Sequence, residues 1–288
     1  MLAAARSARN LLRDAGPSVE QFLAARLSPA GAFKGRSDAP DLYYTVFGAE
    51  SLLALSRCLP EGLPAYLRSF GSGESLDFVH LGCLARLWAD SPGEGLSPEG
   101  RAAVLAHLAT FRSADGGFSH VAAGKRATAY GCFLAACAHE DIEAELPDRE
   151  RFLAAVESLR TPDGGYANEP ERPTGLVTAT AAAVTVLAHF GRSASAGAAE
   201  WLLARRHPRG GFVAFRGSPM PDLLSTATAL HSLAAIGVSL REVRQPCLEF
   251  LDTVWSSDEG GFRAHWLDDA VDCEYTWYGL LALGHLVE

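Results

Sequence analysis

The chain lacks a CxxC pair, a run of consecutive lysines and arginines, and any extended alternation of polar and apolar residues. It also lacks the unbroken stretch of about 18 apolar residues needed to span a bilayer. Each absence excludes something. Without CxxC, the six cysteines (Cys58, Cys83, Cys132, Cys137, Cys247, Cys273) are neither a redox pair nor a zinc ribbon, and most fall inside apolar helical patterns. They read as buried, reduced thiols of a cytoplasmic protein. With a net charge of −9, a pI of about 5.5 and no basic run, the chain is a poor match for nucleic acid. Without β-type alternation, a sheet protein is excluded. The opening MLAAARSARNLLRDAG has the Ala/Leu/Arg texture of a transit peptide but no long apolar core, and Asp14 follows soon. Residues 1–17 are therefore expected to be an N-terminal extension or a frayed helix, and residues 18–288 a single domain.

What is present is repetition. SADGGF ends at Phe118, TPDGGY at Tyr166, HPRGGF at Phe212 and SDEGGF at Phe262, with a degenerate SPAGAF ending at Phe33. The unit recurs about every fifty residues, the period of a helical repeat. An apolar helical pattern precedes each turn, and a more apolar, Ala-rich one follows it. The second patterns are Asp41–Leu55, Ser75–Leu87, Arg126–Cys137, Gly175–Ala188, Asp222–Gly237 and Asp272–Gly284, six in all. The unit between Pro60 and Leu87 is short and lacks the glycine-pair turn. A glycine pair supplies backbone freedom for a tight reversal, and the aromatic after it can plug the helix pair. Segments apolar nearly all round must be buried. The expected fold is all-α: six helix pairs, the Ala-rich set as an inner ring around a cavity. An open solenoid of the same pairs is the alternative.

This pattern resembles the repeats of the β subunits of protein prenyltransferases and, more distantly, those of squalene and terpene cyclases. The resemblance runs from about Val19 to the C-terminus. It implies an α/α toroid (an α6–α6 barrel) with a cavity that holds an isoprenoid chain on aromatics and a diphosphate on basic residues. In the prenyltransferases a zinc ion activates a substrate thiol there. Their fifth repeat reads roughly GGxxGRxxKxxDxCYSxW, where this chain has GGFVAFRGSPMPDLLSTAT. Arg216 keeps the diphosphate arginine's spacing to Asp222, which matches a zinc ligand. Pro219 stands at the lysine and Leu224 at the ligand cysteine. In the sixth repeat, Tyr275 stands at the ligand histidine. With two of three ligands replaced, zinc is not expected, and magnesium would enter only with a diphosphate.

Asp222 and Asp272 read as helix N-caps, as N-caps that also serve a polar pocket, or as part of another metal site. With Glu274 and Tyr275 they are the candidate catalytic residues. The diphosphate candidates are Arg216, Lys125 and Arg126, chosen from a basic set that also holds Arg36 and Arg172. Tyr44, Phe47, Tyr130, Trp277 and Tyr278 are the candidate isoprenoid pocket, with Phe78 and Phe133 as further aromatics. Cyclases of this fold protonate an alkene through a DxDD motif. Asp268-Asp269 comes nearest, with the wrong spacing, and reads as a solvated loop. His231 and His285 read as packing residues, while His80 and His120 are open to a cavity role.

The expected function is a prenyltransferase-like transferase that binds an isoprenoid diphosphate, or transfers its prenyl group, without zinc. The alternatives are a non-catalytic toroid for a peptide or apolar ligand, and a terpene-cyclase-like enzyme. A protein partner, either an α-subunit-like chain or a second copy, is left open. No nucleic acid and no membrane span are expected.

Overall fold

The computed structural model describes residues 1–93, 95–193 and 197–287. Two short helices open the chain, α1 (Leu2–Ser7) and α2 (Arg9–Leu12). Six helix pairs follow among the described residues. They are α3 (Gly16–Arg26) with α4 (Leu42–Ala54), α5 (Leu63–Arg68) with α6 (Phe78–Asp90), and α7 (Pro98–Thr110) with α8 (Ala129–Asp141). Then come α9 (Arg149–Glu157) with α10 (Val177–His189), α11 (Ala198–Leu203) with α12 (Leu223–Ala235), and α13 (Arg241–Val254) with α14 (Cys273–His285). The second helix of every pair has 13 residues. The repeat reading therefore locates all six, with starts shifted by a few residues.

Local chemistry sets those starts. Asp41, Asp77, Thr128, Asp222 and Asp272 each accept a hydrogen bond from the backbone N–H three residues on, capping α4, α6, α8, α12 and α14. Four residues after four of these caps, and after Leu176 at the start of α10, comes a second device. Thr45, Thr180, Thr226 and Thr276 accept the backbone N–H of the turn aromatics Phe33, Tyr166, Phe212 and Phe262 at 2.9, 2.9, 2.9 and 3.2 Å. The Cys132 sulfur does the same for Phe118 at 3.4 Å. The shortened unit has Leu81 at this position and no such turn. The aromatics are plugs as expected, all within 3 % of full burial. Two of them lie on glycines of the second helix: a Cβ at Gly48 would meet the Phe33 ring at 2.4 Å, and one at Gly279 the Phe262 ring at 2.4 Å.

Removing the acceptor should be costly because the N–H it serves is sealed from water. Thr226→Val leaves the Phe212 N–H buried and unbonded, and is expected to destabilise by about 1–3 kcal/mol. Thr228→Val is the control, since the Thr228 hydroxyl donates to the carbonyls of Leu224 and Ser225 in its own helix and serves no turn N–H. Chemical denaturation of both variants measures the difference, and equal midpoints would refute the locking role.

The contacts resolve into two compact units, Met1–Pro60 with Ala199–Glu288, and Glu61–Ala198. In the first, α14 packs between α12 and α4, with α3 and α1 against both α14 and α4. In the second, α8 packs between α6 and α10, with α5 and α7 on α6 and α9 on α8 and α10. The segment expected as an extension or frayed helix is helical and packed: Ala5 and Ala8 are fully buried, and a Cβ at Gly284 would come within 1.9 Å of the Ala4 carbonyl oxygen. Small residues on both sides allow that approach, which hydropathy alone did not indicate. Of the thiols, Cys132, Cys247 and Cys273 are buried as expected, whereas Cys58 is exposed, since it lies beyond the end of α4. No helix of the described residues is long and apolar enough to cross a membrane.

Candidate functional site

Within the first unit, the N-termini of α4 and α14 stand beside two loops. One follows the Phe33 turn and is pinched by a bridge between Lys34 and Pro40; the other follows the Phe262 turn and is pinched between Arg263 and Val271. Arg36 reaches from the first loop to the second. Its Nε donates to Asp272 Oδ2 at 2.8 Å and its Nη2 to Asp268 Oδ2 at 2.7 Å. The Asp272 side chain is fully buried, while Arg36 is 45 % exposed. Asp272 Oδ1 accepts the Tyr275 N–H that caps α14. The hydrogen bond to Asp272 is the largest influence on the guanidinium and pushes its pKa above the ordinary arginine value, so Arg36 stays charged.

Glu274 lies two residues beyond Asp272 in the first turn of α14, half-buried. Its Oε1 accepts a hydrogen bond from the Tyr43 hydroxyl at 2.8 Å. Burial pushes the Glu274 carboxyl above the usual range and Asp272 adds to that; the Tyr43 bond and Arg36 oppose it without cancelling it. The same negative field reaches the neighbouring phenols. Burial and then Glu274, Asp272 and Asp222 raise Tyr275, while burial, Asp272 and Glu274 raise Tyr44. Burial also raises Asp222, against its capping bond from Ser225. The Tyr43 ring meets Phe47 edge-on at 4.9 Å between centroids, and Phe47 meets Tyr278 at 5.7 Å. An acid-rich cluster thus adjoins a row of half-buried aromatic rings.

A family model, the prenyltransferase alpha-alpha toroid domain, matches residues 18–212 and 180–286. The chain belongs to this prenyltransferase alpha-alpha toroid family. Solved structures share the fold at low identity. A variant of the type II terpene cyclase MstE from Scytonema, in complex with geranylgeranyl dihydroxybenzoate, superposes with a TM-score of 0.65 at 16% identity, with 97% of each chain covered. The protein geranylgeranyltransferase-I of Candida albicans, complexed with GGPP, gives 0.52 at 15% identity, covering 92% of this chain and 75% of that one. A protein from Actinoplanes gives 0.63 at 16% identity, covering 95% and 98%. No curated protein matches in sequence.

The zinc of the protein prenyltransferases does not fit here. Leu224 and Tyr275 offer no zinc donor, and Asp222 is engaged in capping α12. Among the described residues there is no group of three or more His, Cys, Asp or Glu able to hold a metal ion.

Of the sequence candidates, Asp272, Glu274, Tyr275, Tyr44, Phe47 and Tyr278 come together, with Asp222 close enough to act on Tyr275. Asp222 and Asp272 are both N-caps, and Asp272 also joins the polar cluster. Trp277 is a correction: at 2 % exposure it packs in the core, because it lies on the face of α14 away from the half-buried Tyr275 and Tyr278. Phe78 is likewise core, against Phe111 and Phe118. Asp268, read as a solvated loop residue, is an ion-pair partner of Arg36 with only 15% of its side chain exposed; its neighbour Asp269 is exposed.

The basic candidates are placed differently from one another. Arg216 is exposed. Lys125, Arg126, Phe133 and Tyr130 belong to the second unit, where Arg126 faces Asp115 of its own turn at 3.6 Å and the Tyr130 N–H donates to Asn168. Arg172 pairs with Glu169. His80 is tied to Asp77 at 2.9 Å, and His120 is exposed. His231 and His285 pack as expected, bonded to each other at 2.9 Å across α12 and α14. Sequence reasoning missed Tyr43 as a partner of Glu274 and ranked Arg36 below Arg216. The available signal was that Arg36 and Tyr43 flank the cap Asp41, just as Asp268 and Glu274 flank the cap Asp272.

Proposed function

We propose that this toroid binds an isoprenoid at the aromatic row of α4 and α14 and starts its chemistry by protonating a carbon–carbon double bond, with Glu274 as the acid. One observation carries the reading: a half-buried carboxyl, pushed toward its neutral form, sits beside the faces of Tyr43, Phe47 and Tyr278. Asp272-Cys273-Glu274 keeps the acid-x-acid spacing of the first half of the cyclase DxDD motif, at the N-terminus of an inner helix. The likeness to a type II terpene cyclase supports the same reading at the level of fold.

In this reading Glu274 transfers its proton to one alkene carbon. The π electrons form the new C–H bond and leave a carbocation on the other carbon. The Tyr43 hydroxyl, which already donates to Oε1, stabilises the carboxylate left behind. Aromatic faces stabilise the cation through their quadrupoles. Loss of a proton from the final cation returns the balance. Asp272 orients Glu274 by capping α14 and is itself held by Arg36.

The second reading, prenyl transfer from a diphosphate, draws on the exposed guanidinium of Arg216 at the family's spacing before Asp222. Reaction in D2O separates the two. Protonation-initiated cyclisation or hydration of an isoprenoid polyene places one solvent deuterium on a carbon of the product, read by mass spectrometry. Absence of any deuterated product across a set of polyenes of increasing chain length would sink the acid reading.

A further inference from the structure

We infer that the isoprenoid taken by this site carries an uncharged head group, an alcohol, ether or plain polyene, rather than a diphosphate. The inference rests on the isoprenoid reading above and narrows its substrate class. It stands on where the charges are. Four carboxylate side chains, Asp222, Asp268, Asp272 and Glu274, converge on the N-terminal ends of α12 and α14, and Asp41 caps α4 beside them. Two guanidinium groups border this cluster, and each already gives two of its donors to the protein. Arg36 is bonded to Asp268 and Asp272. Arg26 gives Nη1 to the Gly35 carbonyl at 3.2 Å and Nη2 to the Val271 carbonyl at 3.0 Å.

Even with Glu274 neutral, the acidic groups outnumber the two arginines. Burial first, and then the neighbouring carboxylates with Asp272 among them, push Tyr44, Tyr275 and Glu274 toward their neutral forms. Surroundings that disfavour a single negative charge on a phenol disfavour several on a diphosphate more strongly. A diphosphate on the exposed side of Arg36 would share that guanidinium with Asp268 and Asp272 and lie against both carboxylates. An uncharged head group meets no such repulsion. It can accept from the protonated Glu274 or donate to Asp268, and the developing carbocation is favoured by the surrounding negative charge.

The test uses two probes with one hydrocarbon tail, geranylgeraniol and geranylgeranyl diphosphate, titrated against the full chain by calorimetry at low and moderate salt. The alcohol is expected to bind about tenfold or more tightly than the diphosphate, with the gap narrowing as salt screens the repulsion. Asp268→Asn removes one negative charge from a solvent-edge loop and frees one Arg36 donor, so the ratio of the two affinities should shift severalfold toward the diphosphate. Because Arg36 keeps Asp272 in this variant, loss of fold is not expected, and a thermal melt checks that. Equal or tighter binding of the diphosphate to the unaltered protein, or an unchanged ratio in Asp268→Asn, overturns the charge inference alone. If neither probe binds, the isoprenoid reading itself falls and takes this inference with it.

Discussion

Glu274→Gln should reduce product formation by about 10²–10⁴-fold, the usual contribution of a positioned general acid, while leaving isoprenoid binding nearly intact. Gln keeps the shape of the side chain and an oxygen to accept from Tyr43 but has no proton to give. The pH profile supplies a second readout. An acid must be protonated to act, and burial raises the Glu274 pKa, so turnover in the unaltered protein should persist to a higher pH than an ordinary glutamic acid allows and fall as pH rises through that raised value. The substitution should act on stability in the direction opposite to its action on turnover. A carboxyl with a raised folded-state pKa contributes stability that is present below its unfolded value and lost as pH rises through its folded one. At pH 8 the substitution removes a half-buried charge, so Glu274→Gln should melt at the same temperature as the parent or higher. Lower activity with equal or higher stability marks a functional group. A variant that loses both would show Glu274 to be structural, and one that keeps its activity would remove Glu274 from the mechanism.

The largest expected effect on stability comes from Gly210→Ala, in the HPRGGF turn. Gly210 has φ of +86°, and a Cβ there would come within 2.0 Å of the Pro246 carbonyl oxygen and 2.9 Å of its carbon. The oxygen belongs to α13, in the middle of its run, and cannot swing away as a side-chain end could. Left-handed backbone alone costs an alanine about 1–2 kcal/mol, and the overlap forces α13 and the turn apart, for a total of about 3 kcal/mol or more. Gly237 isolates the second contribution. It closes α12 with φ of +76° and has nothing within 4 Å of the Cβ position. Gly237→Ala should therefore cost only the backbone part. Urea unfolding of the pair measures the gap, and equal losses would show that the close approach to Pro246 carries no weight.

Much of this architecture was legible because the repeat restates it. A glycine pair, an aromatic, a capping Asp or Thr and an Ala-rich run recur together, and each recurrence fixes a turn, a plug, a helix start and a buried face. The lock by Thr45, Thr180, Thr226 and Thr276 was present in the sequence as a hydroxyl four residues after each cap or helix start, but its meaning appears only when the turn aromatic's N–H is seen to need an acceptor. The site was half legible. Asp272, Glu274 and Tyr275 stood out because Tyr275 stands where the resemblance puts a ligand histidine, just after the retained Asp272 and beside Glu274. Trp277 was misplaced because Tyr275, Trp277 and Tyr278 cover more than one face of α14, and only packing shows which face is closed.

By itself the sequence determined the family, the six helix pairs and the loss of the zinc ligands, because these are set by residues near one another in the chain and repeated along it. Tertiary structure decided which charges meet. Arg36 and Asp268 are separated by 232 residues, and Tyr43 and Glu274 by 231, yet each pair is in hydrogen-bond contact. No local pattern encodes such a pairing. It follows from α14 packing directly against α4, which places the loops of the first and last repeats side by side and turns two capping segments into one acidic, aromatic-edged site.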